Sequence, residues 1–297
     1  IMINNFKRKI TKEPSSISIK TNKLPKPTLN RSISLLLNEL KIDFDYTLLT
    51  NIDKIYIPLK YFSNKNYQQT LIDISTKFDT YIYMPTIIRK NYISNVTYCI
   101  NTAINQFKIR GFVISNLSNL EILKNLNLSH DDYDFIGNYT LNVFNNLTKE
   151  ALNTLNLNTI TISPELDKST ILELCGVNQE LIVYSKLPVM TTNYCLLGSS
   201  NKCYNSCKKM CFNDDNKYYL KDRLGFNFRV IPNNSQTITT IYNSKITSIA
   251  PEEFNCSSSR IDILDESIEE IINIIDVVKS GKRLEGKDFT NSNLNRE

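Results

Sequence analysis

The sequence has one histidine, no tryptophan and only seven glycines among its 297 residues. The histidine count excludes most. With His130 alone, a His-x-x-x-His zinc protease or any other two-imidazole metal site cannot form within the chain. A Ser-His-Asp or Cys-His device would have to use that residue, which lies in the polar segment SHDDYD and reads as solvent-exposed. No run of about eighteen apolar residues is present, so no transmembrane helix is expected. The first residues lack the charged-then-apolar order of a signal peptide. The chain therefore reads as soluble and cytoplasmic. A hydrophobic share of 41% and a charged share of 22% are those of a globular protein, which sets aside wholesale disorder and a fibrous chain. The formal net charge of +5 permits attraction to phosphate without requiring it.

What is present in quantity is cysteine. Four of the seven stand in the spacing Cys195-x7-Cys203-x3-Cys207-x3-Cys211. In a reducing compartment such crowding points to metal ligation, and four thiolates in one loop are enough for a 4Fe-4S cluster or a tetrahedral zinc. A reduced structural set and local disulfides are the alternatives. Cys256 is a reserve ligand, whereas Cys99 and Cys175 fall in helical patterns and read as core. The chain opens on Ile1 with Met2 behind it, which suggests the C-terminal portion of a longer polypeptide with an N-terminal domain before it.

Residues 1–31 are polar, contain Pro14, Pro25 and Pro27, and read as a linker or wrapping arm. Apolar, β-branched runs then recur at 32–38, 54–59, 80–86, 111–116, 133–138, 159–164, 180–185 and 260–264, as expected for strands buried on both faces of a parallel sheet. Helical patterns lie between them at 66–77, 92–106, 117–125, 147–155, 168–175 and 265–279. This alternation predicts an α/β fold, a (β/α)8 TIM-type barrel over 32–280, with a doubly wound open sheet as the alternative. A Cys-rich insertion at 190–257 interrupts it between the seventh and eighth strands, and 281–297 reads as a flexible polar tail.

In a barrel the residues just past each strand line the mouth. Lys60, Arg89, Asn116, Asn138, Glu165 and Lys186 occupy such positions, and the cysteines would sit above them. Glu165, in SPELD, is the acid-base candidate if the mouth desolvates it; the bland reading is that Pro164-Glu165 merely starts the next helix. Arg89 and Lys60 could grip a carboxylate or an RNA phosphate, or serve only as rim charges. Asp222 and Arg223 read as structural, and Asn243 and Ser244 as turn residues. The tyrosine-rich segments YIYMP and NKYYLKDR could stack nucleobases, although core packing accounts for them more simply.

The succession YDFIGNYTLNVFN, TITISPELD, ELIVYSKLPVMTTNYC, YYLKDRLGFNFRV and TTIYNSKI, preceded by YIPLKYF and YIYMPTIIRKNY, resembles the collagenase-like peptidases of unassigned catalytic type, peptidase family U-32, over most of residues 32–280. The match is to the second half of the larger clostridial-type members. The resemblance implies a barrel-like catalytic domain with cysteines after the Leu-Pro-x-Met segment. Some members are called peptidases; others are oxygen-independent hydroxylation factors for ribosomal or transfer RNA or in quinone synthesis, in which four cysteines hold an iron-sulfur cluster. Cys195, Cys203 and Cys207 fall at cluster positions, and Cys211 could supply the fourth sulfur, because Ile238 stands where the family has its last cysteine. The family's Tyr-Gly-Arg is here Tyr184-Ser185-Lys186, and its C-terminal His-bearing signature is Phe289-Thr290-Asn291-Ser292-Asn293.

The leading expectation is an iron-sulfur-dependent factor modifying RNA or a small anionic molecule, with Glu165, Arg89, Lys60 and Lys186 as its catalytic residues. The alternatives are a collagenase-like peptidase acting on peptides and a diverged, inactive binding or scaffolding module. No membrane partner is expected.

Overall fold

A computed structural model describes residues 31–195, 217–233 and 238–295. In chain order the first seven strands are β1 (Ser32–Leu37), β2 (Lys54–Pro58), β3 (Asp79–Tyr83), β4 (Ile109–Ile114), β5 (Asp134–Gly137), β6 (Thr159–Thr161) and β7 (Gln179–Ser185). Then come β8 (Pro188–Thr192), β9 (Tyr218–Lys221), β10 (Asn227–Asn233), β11 (Ile238–Tyr242), β12 (Ile246–Ser248), β13 (Ser258–Ile263) and β14 (Phe289–Thr290). Strands β1 to β7 pair in sequence, all parallel, and β13 pairs in parallel with both β1 and β7. That double pairing closes the ring. The protein is a (β/α)8 barrel, and the open-sheet alternative falls because an open sheet leaves two edges unpaired.

Helices α1 (Gln68–Lys77), α2 (Ile93–Gln106), α3 (Leu117–Asn125), α4 (Asn146–Asn153), α5 (Lys168–Leu174) and α6 (Ile268–Lys279) follow β2 to β6 and β13. Their starts are written locally. Asn116 with Asn119, and Ser267 with Glu270, form capping boxes at α3 and α6. On α6, Ile271, Ile274, Ile275 and Val278 repeat at the spacing of one helical face and are buried. They pack on the outward residues of the strands, such as Ile33, Leu35, Ile55, Ile57, Phe112 and Ile261, in one continuous core. Each such side chain contributes about 1.5–3 kcal/mol by leaving water.

Two elements depart from the regular pattern. After β7 the chain leaves the barrel and builds a four-stranded antiparallel sheet, β8-β11-β10-β9. Residues 190–257, expected as a cysteine-bearing insertion, carry most of this sheet, which no expected strand foreshadows. Its β9–β10 turn is set by Asp222, whose carboxylate accepts from the backbone N–H groups of Leu224 and Phe226, and by Gly225 at φ 88°. The second departure is at β7 itself. β6 pairs only with Gln179 and Glu180, while Tyr184 and Ser185 at the other end pair antiparallel with β12, which in turn pairs with β14. Residues read as a flexible tail thus contribute a strand, and Leu294 beyond it is buried in the core. Among the described residues no helix is long and apolar enough to cross a membrane.

Candidate active site at the barrel mouth

Inside the ring the apolar rule is broken. Leu36, Tyr56, Tyr81, Val113 and Ile136 make a small inner cluster, but much of the rest is polar and charged. Glu180 is fully buried. Its Oε1 accepts from Ser258 at 3.1 Å and lies 2.8 Å from the Tyr56 hydroxyl, and its Oε2 accepts from Thr161 at 2.8 Å. One level nearer the mouth, the fully buried Arg260 donates through Nε to Asp262 at 2.6 Å and through an Nη to Asn138 at 2.8 Å. Its guanidinium lies 5.4–5.8 Å from the rings of Tyr83, Tyr56 and Tyr139. Burial works against that charge, but Asp262 beside it holds the Arg260 pKa above its ordinary value. Ser185 donates to the second oxygen of Asp262 at 3.2 Å, so this carboxylate is compensated from two sides. Burying such groups is costly unless every one is paired, and here they are.

The antiparallel sheet forms a roof over this end. Arg229 on β10 reaches Asp265 beyond β13 at 3.0 Å and Glu39 beyond β1 at 2.9 Å. Ile231 and Tyr242 of the roof pack with Leu264. Between roof and ring lies a cavity of about 220 Å³, floored by Tyr83, Tyr139, Ser185 and Asp262 and roofed by Ile231, Ile238, Thr240 and Tyr242. That volume is below the roughly 300–1,000 Å³ of pockets for drug-sized ligands, so the cavity suits a small molecule or the end of a larger one.

The expected site residues divide around this cavity. Lys60 and Lys186 line it together. Glu165 does not: it is exposed and belongs to a neighbouring cleft that shares Tyr139, Thr140 and Pro188. Exposure removes the desolvation that an acid-base role was expected to draw on. The simpler reading of Glu165 is also displaced, because α5 begins three residues later with Asp167 as its cap. Asn293 and Ser292 donate to the carbonyls of Glu165 and Pro164, so the chain after β14 runs beside Glu165. Arg89 is half-buried and donates to Asn193 in the segment after β8, joining the rim to the roof. Asn116 caps α3 and donates to the Thr86 carbonyl. Asn138 is the mouth residue that proves central: its side-chain N–H groups reach Tyr83, Ser115 and Thr140 while its oxygen receives Arg260. His130 is exposed in the loop ahead of β5, at the opposite end of the barrel. Arg223 is exposed, and Asn243 closes a turn to Lys245.

Sequence reasoning missed Tyr56, Glu180, Arg260 and Asp262. The available signal was the period-two alternation of Ser258, Arg260 and Asp262 with apolar Ile261 and Ile263, which marks a strand whose inner face is polar.

For the cysteines the outcome is mixed. Cys203, Cys207 and Cys211 lie outside the described residues, and Cys195 is half-buried three residues after β8. Among the described residues no three His, Cys, Asp or Glu side chains are grouped to hold a metal ion. Cys256 is not a reserve ligand. It is bonded to Cys175, 81 residues away in sequence, and both are buried in the core, so core placement holds for Cys175 but the free thiol does not.

Comparison with protein-family models, with characterised proteins and with solved structures gives no match for this chain.

Proposed function

We propose that the protein is a modifying factor of the collagenase-like U-32 type that takes a small anionic substrate, or an anionic part of an RNA, at the barrel mouth. The observation that carries this reading is the roofed cavity at the C-terminal end of a closed parallel barrel, bordered by both Lys60 and Lys186. Active sites of such barrels form at that end. Two lysines lining one small volume favour an anion in it. The roof sheet begins with the strand that leads into Cys195, so an iron-sulfur cluster held by Cys195, Cys203, Cys207 and Cys211 would be tethered to the cavity's own cover. When bound, such a cluster would supply one-electron chemistry. No step is assigned to it, because three of its four ligands lie outside the described residues.

The residues of the chain itself have definable work. Lys60 and Lys186 attract and orient the anion, the roof excludes water, and Arg260 fixes the Asp262 carboxylate under the cavity. Peptide hydrolysis is the weaker reading, since the single histidine is on the opposite end of the barrel. The protein would work in the cytoplasm, with the Cys175–Cys256 bond buried in the core and distinct from the cluster cysteines. Protein purified without oxygen should be brown and contain iron and sulfide in near-stoichiometric amounts. Colourless, iron-free protein after reconstitution would sink the iron-sulfur reading, whereas zinc in its place would redirect it.

A further inference from the structure

The mouth cavity is lined by two hydroxyls that have no hydrogen-bond partner among the described residues. They belong to Tyr139, just past β5, and Tyr242, at the end of β11; Tyr242 is only 8% exposed. The two are close enough to influence each other electrostatically, and burial pushes both phenols well above their ordinary range. They therefore stay protonated as donors at any physiological pH, and both line the cavity, where an acceptor can meet them. Lys186 and Lys60 stand on the same cavity, one from the barrel rim after β7 and the other after β2. Among the described residues that line it the only carboxylate, Asp262, is already taken up by Arg260 and Ser185. The two phenols and Lys186 thus leave donors and positive charge for a ligand. The remaining wall is largely hydrocarbon, with Leu36, Leu59, Ile87, Ile231 and Ile238 facing the space. A phosphate would satisfy the donors and leave this wall against charged oxygens. A carboxylate on an apolar body matches both parts.

We propose that the barrel-mouth cavity binds a small organic carboxylate whose oxygens accept from Tyr139 and Tyr242 beside Lys60 and Lys186, and whose body lies against Leu36, Ile231 and Ile238. The volume of about 220 Å³ limits that body to a short aliphatic chain or a single ring. This assignment rests on the reading of the mouth as the substrate site and is independent of any cluster.

Calorimetric titration of the full chain with benzoate and hexanoate tests it, with benzamide and inorganic phosphate as the neutral and the non-apolar comparisons. At least one of the two carboxylates should bind saturably, with benzamide and phosphate at least tenfold weaker. Tyr242→Phe and Lys186→Gln should each weaken the carboxylate about tenfold, as expected for a lost hydrogen bond or contact to a charged group, without lowering the melting temperature. Tyr139→Phe repeats the test should Tyr242→Phe not fold. Absence of saturable binding by both carboxylates, equal binding of benzamide or phosphate, or unchanged affinity in both tyrosine variants overturns the proposal. Carboxylate binding by iron-free protein would support it while removing the cluster, and iron without binding would do the reverse.

Discussion

Replacing Cys175 and Cys256 together by alanine should lower stability as much as the larger core truncations do. The two residues stand just before β7 and β13, the strands whose pairing closes the barrel. From β1 to β7 each adjacent pair is joined through one short crossover, but β7 and β13 are joined through the whole roof. The bond therefore fastens the pair of consecutive ring strands with the longest connection. For a closed loop of 81 residues, the chain-entropy relation gives about 4.5 kcal/mol at 25 °C. With an unfolding entropy of about 2.1 cal/mol/K per residue over 297 residues, that corresponds to a fall of roughly 7 °C in Tm. Circular-dichroism melts of the wild type with and without reductant, beside the double variant, measure it. Reductant should bring the wild type down to the variant and leave the variant unmoved. Cys99, a buried cysteine with its sulfur 3.2 Å from the Ser63 hydroxyl, supplies a control whose serine variant stays reductant-sensitive. If the double variant melts within about 1 °C of the wild type and reductant has no effect, the seam does not depend on the bond and the reasoning is wrong.

Three further outcomes are expected. Gly111→Ala should fail to give the native fold or lose about 3 kcal/mol or more by urea titration, because a Cβ there would lie 2.0 Å from the Asp134 carbonyl oxygen on the adjacent strand; native stability in that variant would contradict the β4–β5 packing. Arg260→Met should cost about 3–5 kcal/mol by leaving Asp262 buried and unpaired, and adding Asp262→Asn should restore part of it; a single variant losing less than about 1 kcal/mol would show that the pair is not desolvated. Asp167 accepts from Ser169 and Thr170, which lowers its carboxyl to about 2. Its folded value is below the unfolded one, so its stabilisation is present above about pH 4 and is lost as pH falls towards 2. The Tm gap between wild type and Asp167→Asn should accordingly shrink between pH 6 and pH 2.5, and a constant gap would count against the cap.

The barrel could be read from the chain because its strands are buried on both faces and short enough to be bounded by helical patterns. Each of the eight apolar runs lies on a strand, and the pattern at 117–125 coincides with α3. The roof was harder. PVMTT, YYLK and ITTIY carry neither the continuous apolar run of a parallel strand nor a tight Asn-Gly turn, and their partners are set by a docking surface that exists only once the ring has closed. Site residues followed the same division. Lys60 and Lys186 were legible because they come directly after their strands, a position that the barrel itself assigns to the mouth. Glu165 obeys the same rule and still misses the cavity, since β12 takes the far end of β7 from β6 and the chain after β14 runs past Glu165. The charged interior went unread because strand propensity treats RIDIL as a weak apolar run, although its alternating Arg260 and Asp262 can be paid for only by partners on distant strands.

The connection of β7 to β13 through the roof also fixes an order of events. A nascent chain that has released β1 to β7 and the roof strands has no finished ring and only part of the surface on which the roof docks, because Leu264 and Asp265, which receive it, follow β13. Ring closure and roofing are accordingly one late step, and the cavity comes into existence only when both are complete. A ribosome-bound chain truncated before β13 would expose Ile231 and Tyr242 instead of burying them. The binding site is thus the part of this protein most dependent on completed synthesis, and a premature stop within the last segment removes it even where most of the barrel has already been made.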